Sequence, residues 1–88
     1  MPSVKNGAGI SFEDAFAGVG KTVEGVSDDF GNLTAEGIKI RDEFRALALE
    51  IPISVNELAR IGETAGQLGI ARSELTEFVE TVALLGVT

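Results

Sequence analysis

The chain has 88 residues, is 44% hydrophobic, carries a net charge of −7 and contains neither cysteine nor histidine. Such a chain suits one small domain, too apolar to stay disordered and able to bury about 60 to 65% of its unfolded surface. It has no disulfide framework, it lacks the commonest general base and metal ligand, and its acidity argues against nucleic-acid binding through a basic patch.

Residues 1–10, MPSVKNGAGI, are small and polar and read as a flexible N-terminal lead. They hold no apolar core of a secretory signal, and no stretch of the chain is apolar enough for long enough to span a membrane. Residues 11–88 are expected to form the folded part, a helical domain.

Ser11 can cap a first helix, with Asp14 three residues on. Phe12, Phe16, Val19, Val23, Val26 and Phe30 follow at intervals of four and three, a helical period. Gly18, Gly20 and Gly25 oppose it, at up to about 1 kcal/mol each relative to alanine. The balance predicts a helix over about 12–19, then an irregular segment over about 20–33. That segment is expected to include a short extended piece, a turn of helix and a reversal at Asp29-Phe30-Gly31-Asn32.

Asn32 or Thr34 caps the next helix, about 34–50. Its buried stripe is Ile40, Phe44, Leu47 and Ile51, and its solvated side carries Arg41, Asp42, Glu43 and Arg45. Pro52 ends it, because the residue before proline is pushed out of the helical region.

Residues 54–87 predict a pair of similar helices. Ser54 and Glu57 have the spacing of a capping box, and Ile53 with Leu58 that of a hydrophobic staple. Val55, Leu58, Ala59, Gly62, Ala65 and Leu68 share one face of a helix over about 55–68. Gly69 sits where a left-handed cap is cheapest, and Ile70 is placed to cover Ala65. Shifting this stretch by 17 residues lays ELARIGETAGQLGI over ELTEFVETVALLGV. The second helix is then expected over about 72–85, with Leu75, Phe78, Val79, Val82 and Leu85 buried, Gly86 at its C′ position and Val87 folded back on Val82. Ala71 stands where the first helix has Ser54, so the second helix lacks a side-chain cap. The fold class expected is all-α, a small bundle of three to four helices with short loops.

Two features read as packing instructions. Ala59, Gly62 and Gly66 form a strip of small residues along the first helix of the pair, which lets another helix approach closely. In the shifted alignment Gly62 lies over Val79 and Gly66 over Ala83. Leu84 lies nine residues after Leu75 and so points away from the core face. It is either a lone exposed leucine or a contact with a partner helix. Ala59, Gly62, Gly66 and Leu84 are the candidate helix–helix or partner contacts.

No catalytic, cofactor-binding or metal-binding residue is expected. Gly18-Val19-Gly20-Lys21-Thr22 looks like the end of a phosphate-binding loop, but Ala15 stands where the full pattern needs glycine. No strand precedes it, as that motif requires. The carboxylates lack calcium-loop spacing, and no histidine is present to activate a serine or threonine. A small nucleotide-binding enzyme would rest on Gly20-Lys21-Thr22 alone.

Three blocks together carry a resemblance: FEDAFAGVGKTVEG (12–25), EIPISVNELARIGETAGQLGI (50–70) and ELTEFVETVALLGV (74–87). In this order they resemble the core region of phage tail tape measure proteins of the minor-tail, TP901-like family, over about residues 11–88. In that family the first block usually continues with a basic residue, where this chain has Gly20. The family pattern normally runs on beyond Thr88, so the chain is expected to be a domain of a longer protein. The resemblance implies a helical virion structural segment that works in tail assembly and tail length determination, without catalytic residues here. It implies protein partners in the tail tube, the tail tip or baseplate and the tail assembly chaperones, with either self-association into a small homo-oligomer or dependence on the parent chain. The expected location is the interior of the virion tail, and the host bacterial cytoplasm during assembly. The alternative is a stand-alone helical protein–protein interaction module, an adaptor or regulator.

Overall fold

A computed structural model describes residues 11–86. Among them the chain forms four helices and no strand: α1 (Phe12–Thr22), α2 (Ala35–Glu50), α3 (Val55–Gln67) and α4 (Arg72–Gly86). The fold is therefore the small all-α bundle that the periodicity predicts. The expected lead and the contact expected of Val87 lie outside the described residues.

Each of the first three helices begins at the cap its sequence signals. Ser11 Oγ accepts from the Asp14 N–H at 3.2 Å, Thr34 Oγ1 from the Gly37 N–H at 3.0 Å, and Ser54 Oγ from the Glu57 N–H at 3.1 Å. Each bond satisfies one amide that the first turn leaves without an intrahelical partner. Of the two caps open for α2, Thr34 is the one used. Its hydroxyl also donates to the Gly25 carbonyl at 2.6 Å, which ties the start of α2 to the preceding segment.

Helix α1 runs three residues beyond the expected end, through Thr22. The local cost of Gly18 and Gly20 is offset because Val19 and Val23 are buried. A Cβ on Gly20 would collide with Ser27 Oγ, and one on Gly18 would lie 2.6 Å from the Glu63 carboxylate, the far end of a side chain that can move aside. The irregular segment is thus shorter than expected, 23–34, and contains no turn of helix. Val23 is extended, as its β-branch favours, and Ser27 and Leu33 form an isolated antiparallel bridge.

The reversal starts one residue earlier than expected, at Asp28. Asp28 Oδ1 accepts from the N–H groups of Phe30 and Asn32, both at 2.9 Å, and Gly31 N–H donates to Asp28 O at 3.1 Å. Phe30 is consequently 88% exposed rather than on the buried stripe. The spacing that placed it there assumes that helical phase persists past Thr22, and the chain reverses instead.

The core contains Phe12, Phe16, Val19, Val23 and Val26 from the first segment and Ile40, Phe44, Leu47 and Ile51 from the second. Phe16 meets Phe44 edge-to-face, with ring centroids 5.4 Å apart, a favoured aromatic geometry. Helix α3 packs against each of the other three helices, most extensively against α1. It ends in a Schellman arrangement. Gly69 has φ +91°, Ile70 N–H donates to Ala65 O and Gly69 N–H to Gly66 O, both at 3.0 Å, and Ile70 packs on the core.

Helix α4 buries Leu75, Val79 and Ala83, with Phe78 and Val82 half-buried. Two expected core residues are not buried: Leu68 is 69% exposed and Leu85 is 75% exposed. At about 100° per residue, each lies six residues, hence about 120°, from the centre of its helix's buried sector, Gly62 or Val79. Gly86 is the last helical residue rather than a left-handed C′ glycine, since its φ is not positive.

Candidate interaction surfaces

The Gly18–Thr22 stretch is the last turn of α1. Thr22 Oγ1 donates to Gly18 O at 3.1 Å, and Val23 N–H donates to Val19 O at 2.9 Å. Helical pairing occupies this backbone, and no strand precedes it among the described residues. It does not have the strand–loop–helix form of a phosphate cradle.

The small-residue strip is taken up inside the bundle. Ala59 is buried and contributes to the core. A Cβ on Gly62 would lie 3.0 Å from the Phe44 ring and 3.2 Å from Val19 Cγ2. A Cβ on Gly66 would collide with Thr22 Oγ1 and lie 2.7 Å from the Thr22 carbonyl carbon. These residues let α1 and Phe44 close on α3. Leu84 is not brought to them. It is 54% exposed and, five residues from Val79, points about 140° from the buried centre of α4.

A pocket of about 400 Å³ lies beside α1 and the Asp28–Gly31 reversal. Phe16, Ala17 and Leu33 supply its apolar part, and Glu13, Lys21, Asp28, Asp29 and Arg41 its charged part. Several of these charges already have partners. Arg45 donates to Glu13 at 2.7 Å while lying 5.0 Å over the Phe12 ring, Arg41 pairs with Asp42 at 3.3 Å, and Asp28 closes the reversal. Phe30 stands on the hydrogen-bonded reversal beside it.

Elsewhere side-chain contacts tie α4 to the rest of the fold. Thr76 Oγ1 donates to Glu43 Oε1 at 2.6 Å between α4 and α2, and Arg72 Nη1 donates to Glu24 O at 3.4 Å. Among the described residues no group of three or more acidic side chains could hold a metal ion, and no helix is long and apolar enough to cross a membrane.

The surface residues that the periodicity missed are Phe30, Leu68 and Leu85. The signal for the two leucines was their angular offset from Gly62 and Val79. For Phe30 it was the Asp28-Asp29 and Gly31-Asn32 turn chemistry on either side. Comparison with known protein families, with characterised proteins and with solved structures finds no match.

Proposed function

We propose that this chain is a structural segment of a phage or prophage tail tape measure protein, acting in tail assembly and in setting tail length. The observation that carries the reading is the resemblance of three blocks, in the family's order, across nearly the whole chain. It rests on those sequence blocks and not on a matched relative.

The way the blocks fold supports the reading. The first forms α1 and its exit, the second the end of α2 with the cap and body of α3, and the third α4. The first two meet where Gly62 and Gly66 admit Val19 and Thr22. The departure at Gly20 also has a local counterpart, because a larger residue would displace Ser27 Oγ. On this reading the segment works by packing and not by catalysis. Its partners are the tail tube, the tip or baseplate and the assembly chaperones, and it resides in the tail interior after assembly in the bacterial cytoplasm.

A stand-alone interaction module is the second reading, favoured by the apolar side chains exposed at Phe30, Leu68, Leu84 and Leu85. The deciding experiment is mass spectrometry of tails purified from the phage, or induced prophage, that encodes the chain. Peptides from residues 11–86 in intact tails support the tape measure reading, and their absence from well-covered tails overturns it. Light scattering across a hundredfold concentration range separates the two further. A small oligomer supports the virion segment, and a monomer throughout supports the adaptor.

A further inference from the structure

Phe30 is 88% exposed, while the other phenylalanines are buried or half-buried. It does not stand on a loose loop tip. Asp28 Oδ1 accepts from the Phe30 and Asn32 N–H groups, Asp28 N–H donates to Asn32 O at 2.8 Å, and the Ser27–Leu33 bridge closes the base of the turn. Backbone bonded in this way fixes the direction of the Phe30 Cα–Cβ bond. A ring presented from it loses less freedom on contact than one on an unbonded loop.

The recess beside α1 opens against the same turn. Asp29 and Gly31, the two neighbours of Phe30 in the chain, line it, and Phe16, Ala17 and Leu33 form its apolar part. Its volume of about 400 Å³ is in the range of pockets that enclose a small ligand, about 300 to 1,000 Å³, and leaves room for one aromatic side chain. The Phe30 of the same molecule does not line it. Most of the charges around it are engaged: Glu13 by Arg45, Arg41 by Asp42, and Asp28 by the turn. Lys21 and Asp29 have no ion-pair partner among the described residues, so the pair left over is one charge of each sign.

A projecting ring and a recess side by side on one molecule are the two halves of a two-fold contact. In an isologous pair the same patch meets itself, so a ring on one side of the axis enters the recess on the other side, twice. Asp29 travels with the ring of one copy and Lys21 stands at the recess of the other, so the two unpaired charges are brought to the same contact. The net charge of −7 opposes association at long range, but salt screens it beyond about 8 Å at physiological strength. We infer that the protein self-associates through this face as a two-fold pair, with the Phe30 ring of each copy seated in the Phe16–Ala17–Leu33 recess of the other. The inference rests on the turn and the recess and not on the tape measure reading, which the tail peptides decide separately.

The test uses the whole 88-residue chain and follows its mass by light scattering up to millimolar concentration. The parent is expected to show a monomer–dimer equilibrium. Phe30→Ser removes the ring, and Ala17→Trp fills the recess. Both positions are exposed, so each variant should keep its helical circular dichroism and melting midpoint. Each alone should raise the dimer Kd by about tenfold or more. An equimolar mixture of the two should regain part of the association, because the Phe30 of one variant still fits the open recess of the other. Leu84→Ser, outside this face, should dimerise like the parent. A parent that stays monomeric overturns the proposal, as does a Phe30→Ser or Ala17→Trp chain that associates as strongly as the parent. A mixture no better than either variant alone also overturns it, and so does loss of the dimer in Leu84→Ser, because the contact then lies on α4.

Discussion

Gly66→Ala sets local helix propensity against packing. In a helix interior, alanine is favoured over glycine by about 0.8 to 1.0 kcal/mol. At Gly66, however, the added Cβ would collide with Thr22 Oγ1 and lie 2.7 Å from both Thr22 Cβ and the Thr22 carbonyl carbon. Carbon atoms in good contact stand about 3.5 to 4.0 Å apart, so α1 must withdraw by roughly 1 Å at its C-terminus. The Thr22 hydroxyl cannot turn away freely, because it donates to Gly18 O at 3.1 Å. Overpacking by a carbon costs about 1 to 3 kcal/mol. With the propensity gain subtracted, the net loss is about 1 kcal/mol, a fall of about 4 to 8 °C in Tm for a domain of this size. Gly86→Ala is the control, since a Cβ there meets nothing within 4 Å. It should raise Tm or leave it unchanged. Thermal melts of the two variants followed by circular dichroism check the argument. A Gly66→Ala protein as stable as the parent, or more so, would falsify the close approach of α1 on α3.

The other expectations concern caps, core and backbone. Ala71→Ser recreates the Ser-x-x-Glu box with Glu74, whose N–H now bonds only to Ala71 O at 3.0 Å. It should stabilise by about 1 kcal/mol in urea titration, and an unchanged midpoint counts against an uncapped α4. Gly69→Ala forces a side chain into φ +91° and should cost about 1 to 2 kcal/mol, even though nothing crowds the position. A neutral result would show that the left-handed cap does not persist in solution. Phe44→Ala removes a fully buried ring that meets Phe16 and Gly62 and should cost about 3 to 5 kcal/mol, with loss of the cooperative melt as the readout. Millimolar Mg-ATP should leave Tm unmoved, because Gly18–Thr22 is a helical turn. A saturable rise would restore nucleotide binding.

What could be read from the sequence was local. Ser11, Thr34, Ser54 and the Gly69-Ile70 pair act through bonds spanning three to five residues, so residue type and spacing suffice to place them. The length of α1 was not legible, because Gly18 and Gly20 weigh against a helix locally. What outweighs them is the burial of Val19 and Val23 against distant parts of the chain. Close approach could be read from Ala59, Gly62 and Gly66, but the element that approaches could not. The shifted alignment equates Gly62 with Val79, and equivalence in a repeat says nothing of contact. The neighbours of Gly62 are Phe44 and Val19.

Leu68 and Leu85 show where a period stops being enough. Spacings of three and four keep residues within one broad face, but each further step drifts from the centre, and six residues from Gly62 or Val79 amount to about 120°. Helix α3 packs against the other three helices and α4 against α3 and α2, yet the sector these neighbours cover stops short of Leu68 and Leu85, which stay 69% and 75% exposed. The two helices share a repeat, with Ile61 matching Phe78 and Leu68 matching Leu85. The exposure of both leucines thus has one cause, an offset of about 120° from the centre of the buried sector in two helices that share a pattern.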